Sequence, residues 1–178
     1  MVGDWWDSPL GAFTDVMLAE PDGTRVLLAS REDVAEFVGS TYTFDRVELG
    51  PVSVEVGDGG WQVDAPGLDL RITLGTRTGL GRLLRLVPSR IATAPAWAAL
   101  TDPVARTVLR GVRTRGSAGN GRREFYGATD LRRIESLVGT WRGLPIGSLA
   151  PVAPEPRFGF GSTPRKPSVT SLVTTVTR

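Results

Sequence analysis

The densest run of chemically capable side chains is Arg113-Thr114-Arg115-Gly116-Ser117-Ala118-Gly119-Asn120-Gly121-Arg122-Arg123-Glu124-Phe125-Tyr126. Glycines let backbone amides approach an anion closely, and guanidinium groups on either side can grip a carboxylate or phosphate through paired hydrogen bonds. The spacing matches neither the phosphate loop of nucleotide hydrolases nor the dinucleotide fingerprint, both of which need fixed glycine offsets between a strand and a helix. Two readings are open. In one, Arg113, Arg115, Arg122 and Glu124, walled by Tyr126 and Trp141, bind a small molecule that is anionic and partly apolar. In the other, the stretch is a β-hairpin with a glycine-rich tip whose Arg and Glu side chains pair across a wet face.

Little else in the chain suits catalysis. Its 178 residues include no histidine and no cysteine, and Lys166 is the one lysine. Imidazole bases, thiolates, disulfides and Cys/His zinc sites are therefore excluded, and a Schiff base could form on one side chain only. Lys166 near Ser162 and Ser168 would be a serine–lysine pair, but Pro164-Arg165-Lys166-Pro167 reads as a solvated loop. Glu124 and Asp130 would serve acid–base chemistry only if the fold opposed them with raised pKa values. Asp22-Gly23 and Asp58-Gly59 are turns without the run of oxygen ligands that a calcium loop requires. No catalytic residue, metal or cofactor is expected, and the leading expectation is a small-molecule binding protein. A structural or protein-interaction domain is one alternative, and an enzyme using carboxylate or tyrosine chemistry is another.

Charge is unevenly distributed. Residues 1–70 hold 14 acidic residues against three arginines, net −11, whereas residues 71–142 hold 14 arginines against four acidic residues, net +10. Mutual neutralisation of the two segments is expected, because a nucleic-acid binder concentrates uncompensated positive charge. Phe125-Tyr126 also lacks the glycine–aromatic pattern of the common RNA-binding sheet, so nucleic acid is not an expected partner. Twenty of the 21 basic residues are arginine, a skew that a GC-rich genome explains. No apolar run approaches the roughly 18 residues of a membrane span, and the acidic start lacks the basic residue of a secretory signal. The expectation is a cytoplasmic protein with no membrane partner; oligomeric state is left open.

The elements that must position these groups are mostly strands. Val16–Ala19 and Val26–Ala29 flank Pro21-Asp22-Gly23, so residues 12–29 read as a hairpin. Across 51–74, Val52, Val54 and Val56, then Trp61, Val63 and Ala65, then Leu68, Leu70, Ile72 and Leu74 alternate with polar residues, which predicts a three-stranded meander with one wet face. Tyr42 and Phe44 are out of phase with Val47 and Leu49, which predicts a bulge near Asp45-Arg46. Helices are expected from a Ser30/Asp33 capping box, from the stripe Leu80, Leu83, Leu84 and Val87, from Thr101-Asp102-Pro103 to Gly111, and from Thr129-Asp130 with Leu131, Ile134 and Val138 inward. Residues 151–167 hold five prolines and read as a loop, and Ser168–Val176 as a closing strand. One domain spanning 1–178 is expected, of class α+β: a curled, largely antiparallel sheet forming a partly closed barrel, with three or four short helices.

Ser8-Pro9-Leu10-Gly11-Ala12-Phe13-Thr14-Asp15-Val16-Met17-Leu18 resembles the Pro-Leu/Val-Gly-Pro-Tyr-x-Glu strand of acetoacetate decarboxylase-like proteins, and Gly121-Arg122-Arg123-Glu124-Phe125-Tyr126 is similar to their Gly-Arg-Glu stretch. The two segments cover 17 of the 178 residues, with a different spacing between them. The resemblance implies a cone-like barrel. It also implies loss of that family's Schiff-base chemistry, because no lysine stands near Gly121, and leaves Arg122 and Glu124 as pocket residues. The chain as a whole also resembles uncharacterised proteins of GC-rich bacteria.

Overall fold

The computed structural model describes residues 1–92, 94–108, 112–117, 123–159 and 163–177. In chain order the elements are β1 (Val2–Trp5), β2 (Phe13–Ala19), β3 (Arg25–Ala29), α1 (Glu32–Gly39), β4 (Arg46–Leu49), β5 (Ser53–Gly57), β6 (Gly60–Ala65), β7 (Leu68–Arg77), α2 (Gly79–Leu84), α3 (Ser89–Ala92), α4 (Pro95–Val108), β8 (Arg115–Ser117), β9 (Arg123–Trp141), β10 (Leu144–Pro145) and β11 (Ser168–Thr177). The fold is α+β. One sheet has the order β1-β2-β3-β4; the other has the order β10-β9-β7-β6-β5, with β8 and β11 also paired to β9. Both orders run from edge to edge, and among the described residues neither sheet closes into a barrel. The chain divides into two compact units, Met1–Thr73 with Ser136–Leu149, and Leu74–Glu135 with Ala150–Arg178.

In the first unit the expected hairpin forms as β2 and β3. Its turn is closed by the Thr24 amide donating to Asp22 Oδ1 at 2.9 Å, with Gly23 at φ +90° where a side chain would be strained. β3 and β4 run parallel, so a crossover must join them, and α1 is that crossover. Ser30 does not cap the helix: Arg31 occupies the cap position without a side-chain bond, and Asp33 is engaged by Arg31 and the Val34 amide instead. Register places Phe13, Asp15, Met17, Leu27 and Ala29 on one face of this sheet and Val16, Leu18, Val26 and Leu28 on the other. α1 covers the first face, with Phe37 edge-on to Phe13 at 6.1 Å and Val34 and Val38 buried. The second face carries Glu20, Arg46 and Glu48 towards Trp141 and Arg142.

No bulge interrupts β4. The phase change between Phe44 and Val47 comes from Asp45, which accepts from the Arg25 amide at 2.9 Å and from its guanidinium at 2.8 Å and delays the strand to Arg46. β4 then shows an inverted pattern: Arg46 and Glu48 are half-buried, whereas Val47 and Leu49 are 48% and 49% exposed at the sheet edge. The meander β5-β6-β7 forms as expected, pairing Val56 with Trp61 and Val63 with Leu70, and burying Val63, Leu68, Leu70 and Ile72. On its wet face Arg71 donates to Gln62 at 3.1 Å and Gln62 to Asp69 at 2.9 Å.

In the second unit Thr78 caps α2, its Oγ1 accepting from the Gly81 amide at 2.9 Å. A Cβ on Gly81 would lie 2.2 Å from the Leu131 carbonyl oxygen, so glycine is what lets α2 rest directly on β9. The helix expected over 129–138 is strand. Ser168–Thr177, rich in β-branched residues, pairs with Arg123–Arg133 along its length, and this ladder overrides the helical spacing of Leu131, Ile134 and Val138. Val138 is exposed, so that stripe shares no buried face. The third expected helix also differs: α4 begins at Pro95, and Pro103 lies inside it rather than at its first turn. Thr101 does not cap; its hydroxyl donates back to the Trp97 carbonyl at 2.9 Å.

Candidate functional site

The two ends of the arginine-rich stretch pair as antiparallel strands, and the expected tip, residues 118–122, lies outside the described residues. β8 pairs with the start of β9 in the register Arg115 with Phe125, Gly116 with Glu124 and Ser117 with Arg123, and the Tyr126 amide donates to the Thr114 carbonyl at 2.8 Å. What anchors it is Asp102 of α4, 2% exposed, whose Oδ1 accepts from the Thr114 amide at 2.9 Å. The Thr114 hydroxyl reaches the Ala98 carbonyl at 2.6 Å, so Thr114 points inward. Arg113 and Arg115 on either side of it are exposed, and Arg115 Nε lies 3.8 Å from Asp102 Oδ2. Tyr126 is half-buried beside them.

The remaining expected site residues are Arg122, Glu124 and Trp141. Arg122 lies outside the described residues, and of Glu124 only the backbone is described. Trp141 belongs to the first unit, where its indole donates to Glu20 Oε1 at 3.0 Å and its ring carries the Arg142 guanidinium at 5.0 Å. That indole bond, with Arg46 beside it, holds the Glu20 carboxyl below its usual pKa. Arg46 also bonds Glu48 at 2.8 Å, so the two carboxylates are spoken for by arginine and tryptophan donors. Asp130, which sequence paired with Glu124 for acid–base work, is clasped by Arg77 Nε at 2.7 and 2.9 Å, which lowers its pKa and keeps it ionised. An ionised, clasped carboxylate is a poor general acid. Among the described residues no cluster of carboxylates fit to hold a metal occurs.

Sequence reasoning missed two features. Asp15 is fully buried; its Oδ1 accepts from the Trp5 indole at 2.8 Å, and its Oδ2 has no hydrogen-bond partner. Burial pushes its pKa up to about 6, against the pull of the Trp5 bond and the Met1 ammonium. A carboxyl sealed from solvent cannot meet a substrate, so its consequence is for stability. The second feature is on the surface. Leu83, Leu86, Ile91 and Leu100, on and between α2, α3 and α4, are 59%, 78%, 47% and 69% exposed, and Arg82, Arg85 and Arg90 among them are exposed as well. Of the expected stripe Leu80, Leu83, Leu84 and Val87, the packing on β9 uses Gly81 instead of Leu83, and this turns Leu83 outward. The sequence signal was there: no carboxylate occurs from Leu70 to Thr101, while five arginines do.

A hollow of about 470 Å³ opens on the first unit between Val56, Trp61, Arg71 and Ile72. It is lined by the β5–β7 meander and includes none of the expected site residues. Comparison with protein-family models, curated proteins and solved structures finds no match to this chain.

Proposed function

We propose that this protein is a binding domain without catalytic chemistry of its own, and that it docks on an extended, negatively charged partner instead of enclosing a small ligand. One observation carries this: residues 78–101 put exposed leucine and isoleucine beside exposed arginine, with no carboxylate in the segment. Long-range attraction by the arginines brings a negative surface near, and removal of the apolar side chains from water supplies the grip. A small anion at Arg113 and Arg115 would instead stay in contact with water, where a guanidinium–carboxylate pair contributes little. Kinship with acetoacetate decarboxylase-like proteins is compatible with docking, since no lysine stands near Gly121 to do Schiff-base chemistry. A chain without cysteine suits a reducing compartment, and the cytoplasm is the proposed location.

Adsorption to heparin beads and to anionic vesicles tests docking. The variant Arg82→Gln/Arg85→Gln/Arg90→Gln is compared with a control, Arg133→Gln/Arg165→Gln/Lys166→Gln, that removes three exposed charges elsewhere. At about 1 kcal/mol per basic residue near an anionic surface, the first variant loses roughly a hundredfold in affinity. The control loses much less. Equal losses overturn the assignment of the surface. A thermal-stability rise with small carboxylates or nucleotides that disappears in Arg115→Ala overturns docking in favour of an enclosed ligand.

A further inference from the structure

Resting on that docking surface, we propose that its occupant is an anionic lipid bilayer, with residues 78–101 lying in the headgroup layer. The four apolar side chains protrude singly, Leu83 from α2, Leu86 from the turn after it, Ile91 from α3 and Leu100 from α4, Leu86 most of all at 78% exposure. Leu83 and Leu86 are three residues apart, and the Leu86 amide donates to the Leu83 carbonyl at 3.0 Å, so both project from the same side of the turn that ends α2. Acyl chains are fluid and close around such protrusions, whereas a protein partner would need pockets shaped to receive each one. The arginines complete the pattern: Arg82, Arg85 and Arg90 alternate with these side chains, as on segments that lie in a bilayer interface, apolar groups inward and guanidinium groups at the phosphates.

Charge also sorts the other candidates. In a second copy meeting this surface about a two-fold axis, arginine would face arginine with no carboxylate from 70 to 101 to relieve it. RNA or DNA would satisfy the arginines but leave Leu83, Leu86 and Leu100 without an apolar partner. Lying on a membrane also needs no spanning length, and among the described residues no helix is long and apolar enough to cross one.

Co-sedimentation with phosphatidylcholine vesicles, with and without phosphatidylglycerol, is measured for the full chain, for Leu86→Ser/Leu100→Ser and for Arg82→Gln/Arg85→Gln/Arg90→Gln. The parent is expected to sediment far more with the anionic vesicles than with the neutral ones. The leucine variant should lose at least about tenfold in vesicle affinity while binding heparin as the parent does, since each leucine withdrawn from an apolar phase weakens partition severalfold. Hydrogen exchange of the parent should slow across 79–100 on vesicles, which reads the same contact without any substitution. Unchanged vesicle affinity in the leucine variant, with no slowing over 79–100, overturns the lipid assignment and leaves docking intact. Tighter binding to single-stranded RNA than to vesicles overturns it in favour of nucleic acid, and a concentration-dependent dimer lost in the leucine variant overturns it in favour of self-association. Loss of all anionic-surface binding, heparin included, would remove the docking proposal itself.

Discussion

Replacing Asp15 by asparagine should stabilise this protein, and by an amount that depends on pH. The carboxyl is fully buried, with one oxygen on the Trp5 indole and the other without a partner, and burial raises its pKa from 3.8 to about 6. A raised folded-state pKa means that the fold prefers the neutral acid. The associated stability is fully present below pH 3.8, declines as pH rises, and is gone above about pH 6. A shift of about two units corresponds to about 3 kcal/mol. Asparagine keeps a carbonyl oxygen for Trp5 and never ionises, so relative to the parent it should gain up to about 3 kcal/mol between pH 4 and pH 7. The Met1 ammonium, which burial holds below its usual pKa and the Asp15 charge supports, trims that gain when the charge is removed. Asp4 projects from the opposite face of β1, towards Thr14, and does not enter the balance. Urea unfolding of both proteins at pH 4, 5, 6 and 7 gives the difference directly. A difference that stays constant across that range would show that Asp15 does not titrate in the folded state near pH 6, and the reasoning would fail.

Three further substitutions probe the second unit. Gly81→Ala places a methyl 2.2 Å from the Leu131 carbonyl oxygen and must lift α2 off β9, lowering stability by about 1–3 kcal/mol in thermal or urea unfolding. Asp102→Ala leaves the Thr114 amide without its acceptor and should cost about 1–3 kcal/mol, with faster hydrogen exchange at Thr114 as its local signature. Arg77→Gln removes the clasp that depresses the Asp130 pKa; carbon-detected titration should show the Asp130 carboxyl returning towards its ordinary value. Because a depressed carboxylate stabilises above its unfolded pKa and loses that stabilisation as pH falls, this variant should lose less stability than the parent on acidification.

What the sequence shows depends on how far away the deciding contact lies. The β2–β3 hairpin was legible because Pro21-Asp22-Gly23 closes its turn within four residues, and the β5–β7 meander because alternation is a local property of each strand. Thr129 to Val138 misleads for the opposite reason. Its apolar spacing fits a helix, but Thr129 Oγ1 donates to the Ser171 carbonyl at 3.2 Å, the stretch up to Arg133 gains a strand partner about forty residues downstream, and β9 also pairs with β7. Asp102 looks like a helix start beside Pro103, whereas its carboxylate is committed to Thr114, twelve residues on. Asp15 was invisible as a special group because an aspartate between Thr14 and Val16 reads as the wet side of a strand. The Trp5 indole ten residues earlier, bonded to its carboxyl across the β1–β2 pair, helps bury it.

The expectation that the acidic first third and the basic middle neutralise one another also has a structural outcome. Within the first third, Arg25 pairs with Asp45, Arg31 with Asp33, and Arg46 with both Glu20 and Glu48, so these carboxylates draw on arginines of the same third. Arg142 with Glu48 joins the acidic segment to the basic one. Arg82 and Arg90, by contrast, lie exposed in a stretch without carboxylates, and Arg85, also exposed, faces only the Asp130 carboxylate that Arg77 already clasps. Positive charge is thus left at the surface where leucines also protrude, and the two properties must act together. Arginine alone would give binding that vanishes within a few hundred millimolar salt, because exposed charges are screened over about 8 Å at physiological ionic strength. Leucine alone would give no preference for negative surfaces. Docking on anionic vesicles should therefore fall steeply with added salt and then level at a residual set by Leu83, Leu86 and Leu100, a plateau that the leucine substitutions should erase and the arginine substitutions should expose at every salt concentration.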